Sequence, residues 1–142
     1  MAGLRRYDLI ACGYDLVSLE HWLYAGPRAK ALELLSARPG DTVLDLGCGT
    51  GLNFAVLLDG VGENGRVIGV DASAGMLAAA RKRVRTAGWD NVTLLSGDLT
   101  DLAGVLSGAG VEPTAIDSVT ATYVLNLLTD DIPVWRTLTA MA

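Results

Sequence analysis

Cysteine is scarce in this sequence. The 142 residues include 2 cysteines, Cys12 and Cys48, which are too few for a disulfide framework and lack the paired spacing of a zinc site. We therefore expect no bound metal and a reducing, cytoplasmic environment. The first residues lack the uninterrupted apolar core of a secretory signal, and no window reaches the roughly 18 apolar residues of a membrane span. The sequence thus predicts a chain without a membrane-spanning segment.

Positive charge is also in short supply. The chain has 11 Lys and Arg residues against 16 Asp and Glu residues, a formal net charge of -5. Neutralising a nucleic-acid backbone requires clustered Lys and Arg, so we expect no nucleic-acid partner. One basic run, Arg81-Lys82-Arg83 with Arg85, falls near the end of a predicted helix. Cations complement the helix dipole there, and we expect this run to be solvent-exposed.

Apolar residues are abundant, at 51% of the chain, and supply the core of one ordinary domain. Apolar runs typical of strands alternate with segments of helical periodicity. This alternation predicts right-handed βαβ units, that is, an α/β fold with a Rossmann-like, doubly wound parallel sheet. The predicted strands are TVLDL (residues 42 to 46), RVIGV ending at Asp71, NVTLLS ending at Gly97-Asp98, and AIDSVTATYVL (115 to 125). The predicted helices are 26 to 37, LNFAVLLDG ending at Gly60, AGMLAAARKRVRTA between Ser73 and Gly88, and the start of another in DIPVWRTLTAMA.

Three acids stand at the ends of successive predicted strands. Asp45 stands in VLDLGCGTGLN (residues 43 to 53), Asp71 ends the second strand, and Asp98 follows the third. Each acid alone also fits a structural role, as an acceptor in a turn or beside a helix N-terminus. In doubly wound sheets, however, ligands bind outside the carboxyl ends of the strands. The three acids together therefore indicate a ligand-binding crevice.

The glycine spacing separates two classes of cofactor. A dinucleotide-binding loop has the pattern G-x-G-x-x-G. Here the glycines are Gly47, Gly49 and Gly51, and Leu52 stands where the third dinucleotide glycine would fall. Asp45 would repel a pyrophosphate but suits a ligand that carries an ammonium group. An NAD-type oxidoreductase is thus the disfavoured alternative.

The pattern resembles class I S-adenosylmethionine-dependent methyltransferases from about residue 42 to residue 128. VLDLGCGTG resembles the family's first motif, GVDAS its acidic ribose motif, SGDL its adenine-contacting motif, and DSVTATYVLNLL its fourth-strand motif. The N-terminal YDLVSLEHWLY is similar to the small-molecule branch that includes ubiquinone and menaquinone C-methyltransferases. The resemblance implies a methyl transfer from S-adenosylmethionine to a small-molecule acceptor, with S-adenosylhomocysteine as product.

The resemblance also implies which residues hold the cofactor. Asp71 would hold the ribose hydroxyls, with Ala72 and Met76 against the adenine. Asp98 would accept a hydrogen bond from the exocyclic amine of adenine, and Leu99 would offer its backbone N–H. Asp45 would reach the amino group of the methionine part, directly or through water. The residues implied along the methionine part are Gly47, Cys48 and Gly49, with Thr122 and Tyr123 near the sulfonium, and Thr50 and Gly51 would complete the loop.

A general base is required only if the acceptor must lose a proton. The candidates are Tyr14, His21 and Tyr123, with Tyr7 and Tyr24 as further tyrosines near the N-terminus. A packing role in a lid is the alternative for His21, which stands in HWLY. We expect residues 1 to 25 to form a lid on the acceptor side and residues 26 to 142 to form the cofactor-binding domain.

The family's sheet has seven strands in the order 3-2-1-4-5-7-6, and this sequence stops shortly after the predicted fourth strand. We therefore expect a domain truncated after strand 4, as part of a longer protein. Otherwise strand 4 would pair with a second copy, or with a chain that supplies strands 5 to 7, because an apolar edge strand favours pairing. A nucleoside-binding module without catalysis is the corresponding functional alternative.

Overall fold

The computed structural model describes residues 26, 30, 33, 35–122, 124 and 132–139. Within them, strands and helices alternate along the chain. The strands are β1 (Thr42–Leu46), β2 (Arg66–Asp71), β3 (Val92–Ser96) and β4 (Ser118–Thr120). The α-helices are α1 (Phe54–Val61), α2 (Ala74–Ala87), α3 (Leu102–Gly108) and α4 (Ile132–Thr139), with short 3₁₀ turns at Leu99–Asp101 and Pro113–Ala115.

The four strands form one parallel sheet in the order β3-β2-β1-β4. The chain moves outward from β1 to β3 and then crosses to the other side of β1. This reversal is the switch point at which ligands bind in doubly wound sheets. The predicted α/β fold with a parallel sheet is confirmed in the described residues, and the strand order agrees with the first four strands of the class I methyltransferase sheet.

Buried side chains on the two faces of the sheet form two separate core clusters. Successive residues of a strand point to opposite faces, and β1 follows this rule. Val43 packs with Phe54, Leu57 and Val67 on the α1 and α2 side. Leu44 and Leu46 pack on the other face with Ile68, Val70, Leu102 and Leu106. Both faces are thus covered, as the apolar strand sequences predict.

Helix α2 has the ends that the sequence predicts. Ser73 is the N-cap, and its hydroxyl accepts a hydrogen bond from the Met76 N–H at 3.2 Å. Gly88 follows the helix in the left-handed conformation, with φ 70° and ψ 33°. These caps place the helix N-terminus directly after Asp71, at the carboxyl end of β2.

The predicted fourth strand, 115 to 125, is wrong in its extent. Residues Pro113–Ala115 form a 3₁₀ turn, and β4 pairs with β1 over Ser118–Thr120 only. The Asp117 carboxylate accepts a hydrogen bond from the Thr42 N–H at 2.8 Å and so fixes the start of β4 against β1. Ala121 and Thr122 have left the strand, and residues 123 and 125 lie outside the described part of the chain.

Three helical segments also differ from the sequence predictions. Helix α1 begins at Phe54 and ends at Val61, because residues 51 to 53 form a turn. The predicted helix 26 to 37 ends earlier, since Leu35 lies in a turn and Ser36 has φ 53°. Helix α3 was not predicted: its seven residues, LAGVLSG, include two glycines, which weaken the helical signal. Within the described residues, no helix is both long and apolar enough to cross a membrane.

Candidate functional site

The loop that follows β1 exposes bare backbone at the carboxyl end of the sheet. Gly49 and Gly51 have φ values of +55° and +81°, a region that favours glycine. A Cβ at Gly51 would lie 2.5 Å from the Phe54 ring, whereas a Cβ at Gly49 would meet nothing within 4 Å. Gly51 is therefore required by packing against the core. Gly49 instead faces open space in which a ligand can lie against the backbone.

Asp71 is held in place by two backbone amides. Its Oδ2 accepts a hydrogen bond from the Gly49 N–H at 2.8 Å, and its Oδ1 accepts one from the Ser73 N–H at 2.8 Å. Each carboxylate oxygen can accept more than one hydrogen bond, so both oxygens can still bind a hydroxyl group. The carboxylate is thus oriented in advance at the end of β2, and it also connects β2 to the glycine loop.

Asp45 is completely buried, with 0% of its surface exposed. The Asn53 side-chain amide donates to both of its oxygens, at 3.1 Å and 3.2 Å, and also to the Thr122 hydroxyl at 2.9 Å. Asn53 is itself 4% exposed. A buried carboxylate requires such donors, and this polar group connects the end of β1 to the segment after β4.

Arg83 joins the middle of helix α2 to the glycine loop. Its Nε donates a hydrogen bond to the Thr50 carbonyl oxygen at 2.9 Å. Arg81, Lys82 and Arg85 are exposed, as expected for the basic run, but Arg83 is only partly exposed. The expectation of an exposed basic run is therefore wrong for Arg83, which stabilises the loop conformation.

The end of β3 lies beside the end of β2. The Gly97 N–H donates to the Asp71 backbone carbonyl at 3.1 Å, which places the neighbouring Asp98 at the same edge of the sheet. The Asp98 side chain is exposed, and its Oδ1 accepts hydrogen bonds from the N–H and hydroxyl of Thr100 at 2.9 Å and 2.8 Å. Leu99 as a whole is 4% exposed and belongs to the core, and the contact assigned to its backbone N–H stays a prediction.

Two further predicted cofactor residues are largely buried. Met76 is 5% exposed, whereas Ala72, four residues earlier, is exposed. Cys48 is 6% exposed and packs in the same cluster as Phe54 and Leu57. Burial raises the pKa of the Cys48 thiol, and the negative charges of Asp45 and Asp71 raise it further. The thiol therefore remains protonated at neutral pH and is part of the core.

The structure brings most of the predicted cofactor residues to one edge of the sheet. Asp45 and Asp71 lie at the carboxyl ends of β1 and β2, the glycine loop follows β1, and Asp98 follows β3. Thr122, in the segment after β4, contacts Asn53. Their assigned contacts with the cofactor stay predictions. Tyr7, Tyr14, His21, Tyr24 and Tyr123, and the proposed lid of residues 1 to 25, lie outside the described residues.

Sequence reasoning missed Asn53 and Arg83. Asn53 precedes helix α1, where an asparagine is typically a simple N-cap, but its side chain makes no capping hydrogen bond. Arg83 stands in a run of basic residues that resembles a solvated helix face. Thr122 is 69 positions from Asn53, and Thr50 is 33 positions from Arg83. Asp45 is 8 positions from Asn53, which matches neither a capping contact nor a neighbour on one helix face, so the sequence pattern carries no signal of these contacts.

Residues 43–141 match the methyltransferase domain family. A 2-phytyl-1,4-naphtoquinone methyltransferase from Nostoc sp. is 33% identical over 87% of this chain and 52% of its own length. An arsenic(III) S-adenosylmethionine methyltransferase from Chlamydomonas reinhardtii is 32% identical over 70% of this chain and 34% of its own, with a TM-score of 0.60. An S-adenosylmethionine-dependent methyltransferase from Aquifex aeolicus shares the fold over 81% of this chain and 57% of its own, with a TM-score of 0.66 at 24% identity.

The chain spans about half the length, or less, of the first curated relatives that it matches. The family match covers β1 to α4, that is, the complete sheet described above together with its carboxyl-end loops. This family match favours S-adenosylmethionine over a dinucleotide, the two cofactor classes that the glycine spacing distinguished. The chain belongs to the methyltransferase domain family and has the Rossmann-like fold of class I S-adenosylmethionine-dependent methyltransferases.

Proposed function

We propose that the protein transfers a methyl group from S-adenosylmethionine to a small, quinone-type acceptor. The observation that carries this proposal is the Asp71 carboxylate, which two backbone amides orient beside the open face of Gly49. A carboxylate in this position suits the two adjacent hydroxyls of a ribose, and the bare backbone suits the tail attached to it.

The polar atoms of the site fit this cofactor. Asp45 supplies a buried negative charge, and the Asn53 carbonyl oxygen is a buried acceptor without a partner in the described part of the chain. Both features suit the ammonium group of the methionine moiety. Neither suits a pyrophosphate, which requires donors and positive charge.

The chemistry places modest demands on the protein. The bound cofactor supplies an electrophilic methyl group on its sulfonium. The protein must hold an acceptor atom close to that methyl and in line with the breaking bond, and it must exclude water. Orientation of this kind can contribute about 7 to 11 kcal/mol to lowering a barrier. The glycine loop and Asp71 supply the fixed half of that arrangement, and Tyr14, His21 and Tyr123 stay the candidates for a base.

The acceptor class rests on the named relatives and on charge. The Nostoc relative is named for a naphthoquinone, and demethylmenaquinone methyltransferases are among the other relatives, including one from Bacillus cereus that is 30% identical over 94% of this chain. The net charge of -5 also disfavours a nucleic-acid acceptor. A ring carbon must be electron-rich to attack a methyl group, so we expect the reduced, quinol form to be the substrate. A cytoplasmic location and pairing through β4 stay predictions.

Cofactor binding provides the first test. Calorimetry with S-adenosylhomocysteine should show binding. Asp71→Ala should weaken this binding by roughly 1 to 3 kcal/mol, because the two carboxylate oxygens that accept from the ribose hydroxyls are lost. Asp59→Ala on the exposed side of α1 is the matched control and should leave the affinity unchanged. Equal affinities for all three proteins would remove Asp71 from the site.

Methyl transfer provides the second test. The protein is incubated with S-adenosylmethionine labelled in its methyl group and with a panel of naphthoquinols, a transfer RNA mixture and a protein mixture. Label in the quinol fraction is the expected result. Label in RNA or protein alone would contradict the acceptor class, and cofactor binding without any transfer would favour a nucleoside-binding module.

A further inference from the structure

Asn53 is an unusual buried residue because the nitrogen of its side-chain amide makes hydrogen bonds and the oxygen makes none among the described residues. Its Nδ2 donates to both oxygens of Asp45 and to the Thr122 hydroxyl, while its Oδ1 has no hydrogen-bond partner among the described residues. Asn53 is 4% exposed. A buried acceptor without a partner is costly, and such an atom in a native structure calls for an explanation.

The amide orientation follows from its neighbours. Rotating the Asn53 side chain by half a turn would place Oδ1 against the Asp45 carboxylate, where two acceptors would repel each other. The nitrogen must therefore face Asp45, and the oxygen must be the atom left without a donor. The unpaired acceptor is thus fixed by the buried charge beside it.

We propose that Asn53 is a further cofactor-binding residue whose Oδ1 accepts a hydrogen bond from the ammonium group of S-adenosylmethionine. This inference rests on the proposed function. An ammonium group carries three N–H donors and a positive charge. The donors can satisfy Oδ1, and the charge is favoured by the buried Asp45 carboxylate that Asn53 contacts. A carboxylate group would instead meet an acceptor and a negative charge.

The same residue also couples two parts of the site. Asn53 contacts Asp45 at the end of β1 and Thr122 after β4. An ammonium bound at Oδ1 would therefore hold together the β1 end, the start of α1 and the segment after β4. Asn53 acts here through the cofactor's amino group alone, which makes its role separable from that of Asp71 at the ribose.

Three ligands that differ at the tail test the proposal. They are S-adenosylhomocysteine, the same thioether with hydrogen in place of the amino group, and 5′-methylthioadenosine, which lacks the whole amino-acid tail. Asn53→Ala should weaken S-adenosylhomocysteine binding about 10- to 150-fold, the range expected for loss of one buried hydrogen bond to a charged group. Its affinity for the other two ligands should change less than about threefold, by the same argument.

Asn91→Ala is the matched control. The Asn91 amide donates to the Gly62 and Gly65 carbonyls, at 3.1 Å and 3.0 Å, in the loop that precedes β2. This variant should lower the stability of the fold while preserving the affinity ratios among the three ligands. Asn53→Ser keeps a hydroxyl that can donate to Asp45 and serves if Asn53→Ala does not fold.

Each outcome decides the proposal. Equal losses for all three ligands in the Asn53 variants would assign Asn53 a structural role only and overturn it. Weaker binding of both S-adenosylhomocysteine and its analogue without the amino group would assign Asn53 to the carboxylate of the ligand's tail. That result would also overturn the proposal. If neither variant folds, the wild type decides: equal affinity with and without the amino group overturns the proposal, and at least a tenfold preference for the amino group supports it. A wild type that binds none of the ligands overturns the proposed function itself.

Discussion

At the scale of single residues, the Asp71 carboxylate is partly exposed, whereas the nearby Cys48 thiol is buried. Asp71 lies at the carboxyl end of β2 and accepts two backbone N–H bonds. Cys48, one residue before Gly49, is directed into the core, where burial and the charges of Asp45 and Asp71 all disfavour a thiolate. The backbone at Gly49 thus faces open space, while the Cys48 thiol packs in the core.

The raised pKa of Cys48 predicts a pH dependence of stability. The thiol of the unfolded chain ionises near its ordinary pKa of 9.0, whereas the folded protein keeps this proton. The unfolded state therefore binds fewer protons than the folded state above that pH, and the free energy of unfolding falls as pH rises. The contribution of this one group approaches about 1.4 kcal/mol per pH unit.

Urea unfolding at pH 8 and pH 10 checks this expectation, with Cys12→Ser as the background and a reducing agent present. Cys48→Ala should lose less stability between the two pH values than the background protein, because it has no thiol to ionise. Parallel losses in the two proteins would show that the thiol titrates equally in the folded and unfolded states.

At the scale of elements, helix α2 supports the glycine loop from its N-cap and from its middle. Its N-cap, Ser73, donates its backbone N–H to Asp71, and Arg83 donates to the Thr50 carbonyl. The loop is thus attached to α2 at points ten residues apart. Its conformation depends on where α2 packs on the sheet, as well as on its own glycines.

Arg83→Met is expected to loosen the loop while preserving most of the apolar side-chain volume. Loss of one hydrogen bond from a charged donor should lower the free energy of unfolding by about 1.5 to 3 kcal/mol, less where solvent replaces the bond. The affinity for S-adenosylhomocysteine should fall as well, because the Thr50 segment is no longer fixed. Arg81→Met, on the exposed face of the same helix, is the control and should change neither quantity in urea unfolding and calorimetry.

The elements also differ in how well the sequence predicts them. β1, β2, β3 and α2 carry strong local signals: mainly apolar runs for the strands, and a Ser73 cap and a Gly88 stop for the helix. The extent of β4 depends on the Asp117 contact with Thr42, 75 positions away in sequence, and helix α3 depends on burying Leu102 and Leu106 against the sheet. Such contacts override local propensity.

The candidate site divides in the same way. The positions of the carboxylates and glycines at the strand ends were predictable from the sequence, because the strands themselves carry clear apolar signals; their roles toward a cofactor stay predictions. Asn53 was not predictable, since its position before α1 is typical of a cap and its actual partners are Asp45 and Thr122. The Asn53 Oδ1, which has no hydrogen-bond partner among the described residues, is identified only from the folded structure, in which β1 and the segment after β4 lie side by side.

At the scale of the whole molecule, the two ends of the sheet have different roles. At the carboxyl end, polar groups converge around the bare backbone of the glycine loop. At the opposite end, side chains close the turns: Asn91 bridges the Gly62 and Gly65 carbonyls, and Asp117 binds the Thr42 N–H. These two side chains bind the protein's own backbone, so the candidate ligand site and this support of the scaffold are separated by the length of the strands.

This separation predicts where a ligand will protect the backbone from hydrogen exchange. Saturating S-adenosylhomocysteine should slow exchange in three segments, residues 47 to 53, 71 to 77 and 97 to 102, because a bound ligand suppresses local opening of the loops that it contacts. At 100 times its dissociation constant, it should also raise the global stability by about 2.7 kcal/mol. The segments 62 to 66 and 88 to 91, at the other end of the same strands, should gain only this global protection. Equal protection at both ends, or protection confined to 62 to 66 and 88 to 91, would place the ligand elsewhere and contradict the site described above.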